Sequence, residues 1–116
     1  LWFRSEKRRG GNRVDCNQLT NLVNKESACL VDVRPKSEFE TGAIAGSINI
    51  PFEELDNRND ELLKEIENSL VFICKMGRNA ALAGEKMQKY GYNKTHVLQG
   101  GITAWQQEGL PLVKVK

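Results

Sequence analysis

Short apolar runs alternate along the chain with longer segments in which apolar residues recur at helical spacing. The runs are typical of strands buried in a parallel sheet and occupy residues 28–33, 47–50, 70–73 and 95–98. Helical spacing predicts helices over 16–24, 35–40, 80–90 and 102–107, and one or two over 52–67. Asp15 and Gln18 have the spacing of a capping box at the first helix. This alternation predicts an α/β fold, with a central parallel sheet of about four to five strands flanked by helices on both faces.

Composition narrows the class of protein. At 116 residues, 40% hydrophobic and 28% charged, the chain fits one domain with its own core. It contains no apolar run of the length needed to span a bilayer. Its three cysteines, Cys16, Cys29 and Cys74, are too few for a disulfide scaffold and form no C-x-x-C pair. His96 is the single histidine, which excludes zinc sites built on several imidazoles, and no P-loop motif occurs.

Positive charge is concentrated in the first 13 residues. Five cations and Glu6 give this segment a charge of +4, which leaves −2 on the other 103 residues. A basic tail on a slightly acidic body is not the footprint of a nucleic-acid-binding face, so no nucleic-acid partner is expected. Gly10 and Gly11 are typical of a flexible hinge. We therefore divide the chain into a basic flexible tail, residues 1–13, and a domain, residues 14–116.

The beginning of the tail leaves two interpretations open. Trp2 and Phe3 precede a cluster of basic residues, which is the pattern found where a membrane helix ends on the cytoplasmic side. One hypothesis is that a membrane helix precedes Leu1 in the natural protein and tethers the domain to the cytoplasmic face of a membrane. The other is a plain disordered basic tail. We expect a cytoplasmic location in either case.

One stretch combines the features of a nucleophilic site. Cys74 follows the most apolar predicted strand and precedes a predicted helix by a few residues, and ligands bind at such strand ends in α/β folds. Gly77 allows a loop whose N–H groups point inward, and the helix adds its positive N-terminal end. Lys75 and Arg78 add full charges. Together these groups favour the thiolate at Cys74, a nucleophile whose adducts the same donors stabilise.

Each candidate residue also has a structural interpretation. Free cysteines are often buried in cores, but the position of Cys74 at a strand end beside charged residues disfavours a packing role for it. Cys16 lies in the first turn of a predicted helix and Cys29 lies inside a predicted strand, so both are predicted to be structural. His96, in another predicted strand, is assigned a structural role as well.

Five ordered motifs resemble those of the rhodanese family over nearly the whole chain, from about Val14 to Pro111. They are LVDVR at 30–34, EF at 38–39, GAIAGSINIP at 42–51, FICKMGR at 72–78, and LQGGI at 98–102 followed by Trp105 and GLP at 109–111. Each motif is weak alone, but five in register make the resemblance specific. It implies a central parallel sheet flanked by helices, and a cysteine that carries a sulfane sulfur as a persulfide.

The resemblance also implies a sulfurtransferase without a metal or an organic cofactor. Cys74 is then the catalytic residue, which takes sulfur from a small anionic donor such as thiosulfate, or from a protein persulfide. It passes the sulfur to a thiophilic acceptor, such as a thiol or a protein cysteine. The residues that would bind the substrate and the persulfide are those of the loop: Lys75, Met76, Gly77, Arg78 and Asn79.

Asp32 and Arg34 resemble a structural support beneath this loop. Arg34 is expected to pair with a nearby carboxylate such as Glu38, one helical turn further on. Trp105 is expected to pack against the sheet rather than to touch substrate.

Two positions depart from the family's pattern. The family often has histidine where this chain has Ala43, and many members have arginine five positions after the cysteine. Here that position is Asn79, and Arg78 lies one position earlier. These departures concern substrate choice and rate more than persulfide chemistry, which uses backbone N–H groups.

Three other functions compete with sulfur transfer. A cysteine-dependent phosphatase or arsenate reductase has arginine six positions after the cysteine to grip an oxyanion, where this chain has Ala80, and a loop one residue longer than 74–79. A non-catalytic rhodanese-like binding module is disfavoured by the intact Cys74 and Gly77. A sulfur carrier that works with a protein partner has the same residues, so the sequence leaves that alternative open.

Overall fold

The structure is a computed structural model that describes residues 9–115. Most of the predicted tail, residues 1–8, and the membrane helix hypothesised before Leu1 therefore lie outside the described part of the chain. Within the described part, no helix is both long and apolar enough to cross a membrane.

Five parallel strands form one sheet in the order β1-β5-β4-β2-β3. The strands are β1 (Asn12–Val14), β2 (Cys29–Asp32), β3 (Ile48–Asn49), β4 (Leu70–Ile73) and β5 (Thr95–Leu98). The α-helices are α1 (Cys16–Glu26), α2 (Lys36–Thr41), α3 (Leu55–Arg58), α4 (Arg78–Lys89) and α5 (Gly101–Gln107). Two 3-10 segments, Phe52–Glu54 and Asn59–Glu65, flank α3. The predicted α/β fold with a parallel sheet is confirmed.

The core has two layers because successive residues of the central strand point to opposite faces. Leu70 and Phe72 pack with α4 and the 52–66 segment, whereas Val71 and Ile73 pack with α1 and α5. All four residues of β4 are fully or almost fully buried, which explains why its sequence is a continuous apolar run. The helices cover both faces of the sheet, as predicted.

Local sequence signals account for the first helix. The Asp15 carboxylate accepts the Gln18 backbone N–H at 2.7 Å, and the Gln18 side chain accepts the Asp15 N–H at 2.8 Å. The predicted capping box is therefore present. Ser27 ends the helix in the left-handed region at φ +54°.

The prediction for residues 9–13 is wrong in two respects. Asn12 and Arg13 belong to β1, an edge strand that pairs with β5 and was not predicted. Gly10 and Gly11 are buried rather than forming an exposed hinge, because their backbone lies against α4 and β5. A Cβ on Gly10 would lie 2.1 Å from a backbone oxygen of α4, and a Cβ on Gly11 would lie 2.0 Å from one of β5. Glycine is required here by close packing, and the domain begins before residue 14.

Residues 52–67 also differ from the prediction. In place of one or two amphipathic helices, this segment has 3-10 turns around the single α-helical turn of α3. Its centre reads Asp56-Asn57-Arg58-Asn59-Asp60, and short polar side chains of this kind favour turns over helix interiors. Leu55 and Leu62 are nevertheless fully buried, so the segment still covers the core.

Candidate active site

Cys74 directly follows the central strand, at the carboxyl edge of the sheet. The residue before it, Ile73, is paired in register with Asp32 of β2, and its carbonyl accepts the Val33 N–H at 2.8 Å. The end of β4 is therefore fixed by its neighbour up to the cysteine. The Cys74 side chain faces the α4 side of the core, and the residue is 5% exposed.

The backbone after Cys74 is held from outside the loop by the first turn of α5. The Ile102 N–H donates to the Cys74 carbonyl at 2.9 Å, and the Thr103 N–H donates to the Lys75 carbonyl at 3.0 Å. The chain approaches these carbonyls so closely that a Cβ on Gly101 would lie 2.3 Å from the Cys74 oxygen and 2.6 Å from the Lys75 oxygen. Gly101 also has φ +59°, so both space and conformation require glycine there.

Two backbone N–H groups point at the sulfur. The Gly77 nitrogen lies 2.9 Å from Cys74 Sγ and the Ala80 nitrogen lies 3.3 Å from it. Gly77 makes this turn at φ +106° immediately before α4, and Ala80 belongs to the first turn of that helix. Donors in this arrangement stabilise negative charge on the sulfur and on groups attached to it.

The predicted loop residues divide into two groups. Gly77 acts through its backbone N–H, as the sequence indicated. Lys75, Met76, Arg78 and Asn79 are all exposed and form the surface of the loop, here called the rim of the active site. The sequence does not identify the Ala80 N–H as a hydrogen-bond donor to the sulfur. The predicted helix start nearby is a signal for it, since N–H groups in a first helical turn have no partner within the helix.

Asp32 and Arg34 form a buried ion pair one strand away from the cysteine. Arg34 Nη2 lies 2.9 Å from Asp32 Oδ2, Arg34 Nε donates to the same carboxylate, and the residues are 8% and 0% exposed. Arg34 also donates to the Gly42 carbonyl at 2.7 Å. The expected partner Glu38 is wrong, because Arg34 turns inward to the carboxylate two residues before it, whereas Glu38 is exposed.

Asn49 was not predicted and joins this support. Its side-chain Nδ2 donates to the backbone carbonyls of Asp32 and Arg34, each at 2.9 Å. Ala43, where the family often has histidine, is fully buried and forms an antiparallel bridge with Val113. The methyl group of Ala43 therefore lies within the fold.

The remaining candidates have the environments of structural residues. Burial raises the pKa of the Cys29 thiol to about 11, with a further increase from Glu65, and burial is also the main cause of the raised pKa of Cys16. Burial lowers the pKa of His96, whose buried Nδ1 has no hydrogen-bond partner among the described residues. Trp105 is buried in the core layer of α1 and α5, as expected. Residues 9–115 contain no cluster of side chains suited to a metal ion.

Comparison with known proteins adds independent information. The family model described as "Rhodanese-like domain" matches residues 15–108. The Escherichia coli (strain K12) protein YibN is 36% identical over 100 residues, which cover 85% of this chain and 70% of YibN. A protein named "Sulfurtransferase" from Allochromatium vinosum is 31% identical over 103 residues, 88% of this chain and 94% of that protein. The crystal structure of a rhodanese-related protein from Thermoplasma volcanium has a TM-score of 0.78 and 31% identity, covering 88% of this chain and 97% of that one.

Proposed function

The chain belongs to the rhodanese-like domain family, and on that premise we propose that it transfers sulfane sulfur through a persulfide on Cys74. The donor is thiosulfate or a persulfide, and the acceptor is a thiophilic group such as a thiol. The observation that carries the proposal is the pair of N–H groups, from Gly77 and Ala80, aimed at the cysteine sulfur at 2.9 and 3.3 Å.

The first step loads the enzyme. The Cys74 thiolate attacks the outer sulfur of thiosulfate, a bond forms between the two sulfurs, and the original S–S bond of the donor breaks. Its electron pair leaves with sulfite, so that charge is conserved and Cys74 carries one additional sulfur. The Gly77 and Ala80 N–H groups stay in place during this step and stabilise the charge on sulfur.

The second step unloads it. A nucleophilic acceptor attacks the outer sulfur of the persulfide, the S–S bond breaks, and its electron pair returns to Cys74 as thiolate. With cyanide as acceptor, the product is thiocyanate. No proton has to be taken from Cys74 in the cycle once the thiol is ionised, so no histidine base is required.

Ala80 argues against the phosphatase alternative. Its side chain is fully buried and lies where the phosphatase pattern has the arginine that grips phosphate. An arginine in that direction would enter the core beside Cys74 rather than reach a bound oxyanion.

Arg78, by contrast, lies on the rim and is our proposed contact for an anionic donor. The cytoplasmic location remains a proposal, as does the membrane tether.

Substitution of each cysteine tests the proposal. Cys74→Ser should abolish both the mass gain of one sulfur after thiosulfate treatment and the formation of thiocyanate from cyanide. Cys16→Ser and Cys29→Ser are the matched controls and should retain both. Arg78→Ala should raise KM for thiosulfate while the far-ultraviolet spectrum stays unchanged. Sulfur found on another cysteine, or on none with either class of donor, would refute the assignment.

A sulfur carrier that serves a protein partner gives a different result in the same experiment. Such a carrier gains the sulfur on Cys74 but releases it to cyanide only slowly. The ratio of loading rate to thiocyanate production therefore separates the two roles.

A further inference from the structure

An apolar side chain stands exposed at the tip of the active-site loop. Met76 is 68% exposed, the largest exposed fraction among the large hydrophobic residues that are exposed in the described chain. The backbone beneath it is fixed, because the Lys75 carbonyl accepts the Thr103 N–H at 3.0 Å. The Met76 side chain thus extends into solvent from a backbone that is held in place. A small hydrated anion such as thiosulfate gains little from a thioether, whereas a larger partner can pack against one.

Two cations flank Met76. Lys75 precedes it and Arg78 follows two residues later, and within residues 9–115 neither forms an ion pair. Some other cations of the fold pair with carboxylates, such as Arg58 with Glu54 at 2.8 Å and Lys86 with Asp56 at 2.9 Å, whereas exposed lysines such as Lys25 and Lys89 form no ion pair among the described residues. The rim of the active site therefore has positive charge that the described part of the chain leaves uncompensated. Such charges act mainly on the encounter with a partner of opposite sign.

We propose that the sulfur acceptor is a protein or peptide thiol flanked by carboxylates, which docks with Met76 against its surface and with Lys75 and Arg78 facing its acidic residues. This inference rests on the proposed function. In the transfer, the acceptor thiolate attacks the outer sulfur of the Cys74 persulfide anion. The S–S bond breaks, its electron pair returns to Cys74 as thiolate, and the outer sulfur leaves on the acceptor as a persulfide anion, so the total charge is unchanged.

Two synthetic peptides with a central cysteine, one flanked by aspartates and one by lysines, test the charge requirement. The protein is first loaded with sulfur, and the rate of transfer to each peptide and to 2-mercaptoethanol is followed by mass spectrometry. The acidic peptide should accept sulfur about tenfold faster than the basic one at low salt. The ratio should fall as salt is added, because the screening length shortens to about 10 Å at 0.1 M.

Variants of the rim identify the residues responsible. Lys75→Gln combined with Arg78→Gln should bring the ratio of the two peptide rates close to one. Met76→Ser should slow transfer to the acidic peptide several-fold more than transfer to 2-mercaptoethanol. Leu63→Ser is the matched control, since Leu63 is 57% exposed and lies outside the active-site loop, and it should alter neither rate. Equal rates for both peptides, or a preference that survives the double substitution, would overturn the proposal.

A binding measurement separates this inference from the proposed function. Peptides with serine in place of cysteine cannot accept sulfur, and their binding is followed by the NMR signal of the Met76 methyl group. A shift with the acidic serine peptide in a protein that never loads sulfur supports the docking surface and refutes the transferase. Loading without selective binding or selective transfer refutes the docking surface alone.

Discussion

Gly101→Ala tests whether the active-site loop is held by α5. The new Cβ would lie 2.3 Å from the Cys74 carbonyl oxygen, where ordinary contact begins at 3.4 Å. The loop therefore has to retreat by about 1 Å, the difference between these two distances. This displacement lengthens or breaks the hydrogen bonds from the Ile102 and Thr103 N–H groups. It also moves Cys74 relative to the donors on Gly77 and Ala80.

The expected loss of stability has two parts. An alanine at the φ of +59° that Gly101 adopts costs about 1 kcal/mol in conformational strain. Two lost hydrogen bonds to the loop cost about 2 kcal/mol more, at roughly 1 kcal/mol each. The free energy of unfolding should therefore fall by about 3 kcal/mol. This corresponds to a decrease in Tm of more than about 10 °C in a domain of this size.

Gly109→Ala separates the strain from the collision. Gly109 follows the end of the same helix with φ +77°, and a Cβ there would meet nothing within 4 Å. This variant should lose only the strain term, about 1 kcal/mol, and keep the wild-type rate of thiocyanate formation. Gly101→Ala should be at least about tenfold slower, because weakening one N–H donor to a charged sulfur removes about 1.5 kcal/mol or more.

Urea unfolding and the rate of sulfur loading, measured at a temperature where both variants are folded, provide the two readouts. Equal stability and equal rates for the two alanine variants would show that α5 does not hold the loop. A stability loss in Gly101→Ala with an undiminished loading rate would show that the loop carbonyls can move without disturbing the sulfur site. Either result contradicts a role for α5 in positioning the cysteine.

Two further predictions concern the support and the pH response of the fold. Asp32→Ala leaves the buried Arg34 guanidinium without its carboxylate and should lower the free energy of unfolding, measured in urea, by about 3–5 kcal/mol. Lys36→Ala, which removes an exposed pair with Glu40, is the control and should leave the midpoint of urea unfolding unchanged. Burial lowers the pKa of His96 below its ordinary 6.5, so the unfolded chain binds more protons than the folded chain in that pH range. The stability that His96 contributes is therefore present above pH 6.5 and is lost as the pH falls through and below it. His96→Gln should flatten this part of the stability profile, and an unchanged slope would contradict this role of His96.

The fold was predictable because its central strands are unambiguous. Leu70 to Ile73 form an apolar run that is buried on both faces, and such a run between amphipathic segments has few interpretations other than a parallel strand. The position of Cys74 at the end of that run placed it at the carboxyl edge of the sheet, where α/β proteins bind ligands. Fold class and candidate nucleophile thus followed from local pattern alone.

What could not be predicted depends on contacts between distant segments. Strand β1 has three residues and no apolar alternation that separates it from a tail, so only its pairing with β5 reveals it. Arg34 was paired by helical spacing with Glu38, yet it bonds to Asp32 because both residues are buried together at the end of β2. Spacing rules for exposed helix pairs do not apply where a side chain is drawn into the interior.

The sulfur site combines a feature that local sequence predicts with one that depends on a distant segment. The loop sequence indicated that N–H groups would face the cysteine, and Gly77 does so at 2.9 Å. A carbonyl and the N–H of the next residue lie in one plane, so fixing the Cys74 and Lys75 carbonyls also orients the Lys75 and Met76 N–H groups, directly before Gly77. The Cys74 and Lys75 carbonyls are fixed by N–H groups of α5, more than twenty residues further along the chain. The active-site loop and the Gly100-Gly101 motif therefore both position Cys74, and a substitution in either segment should alter the chemistry at Cys74.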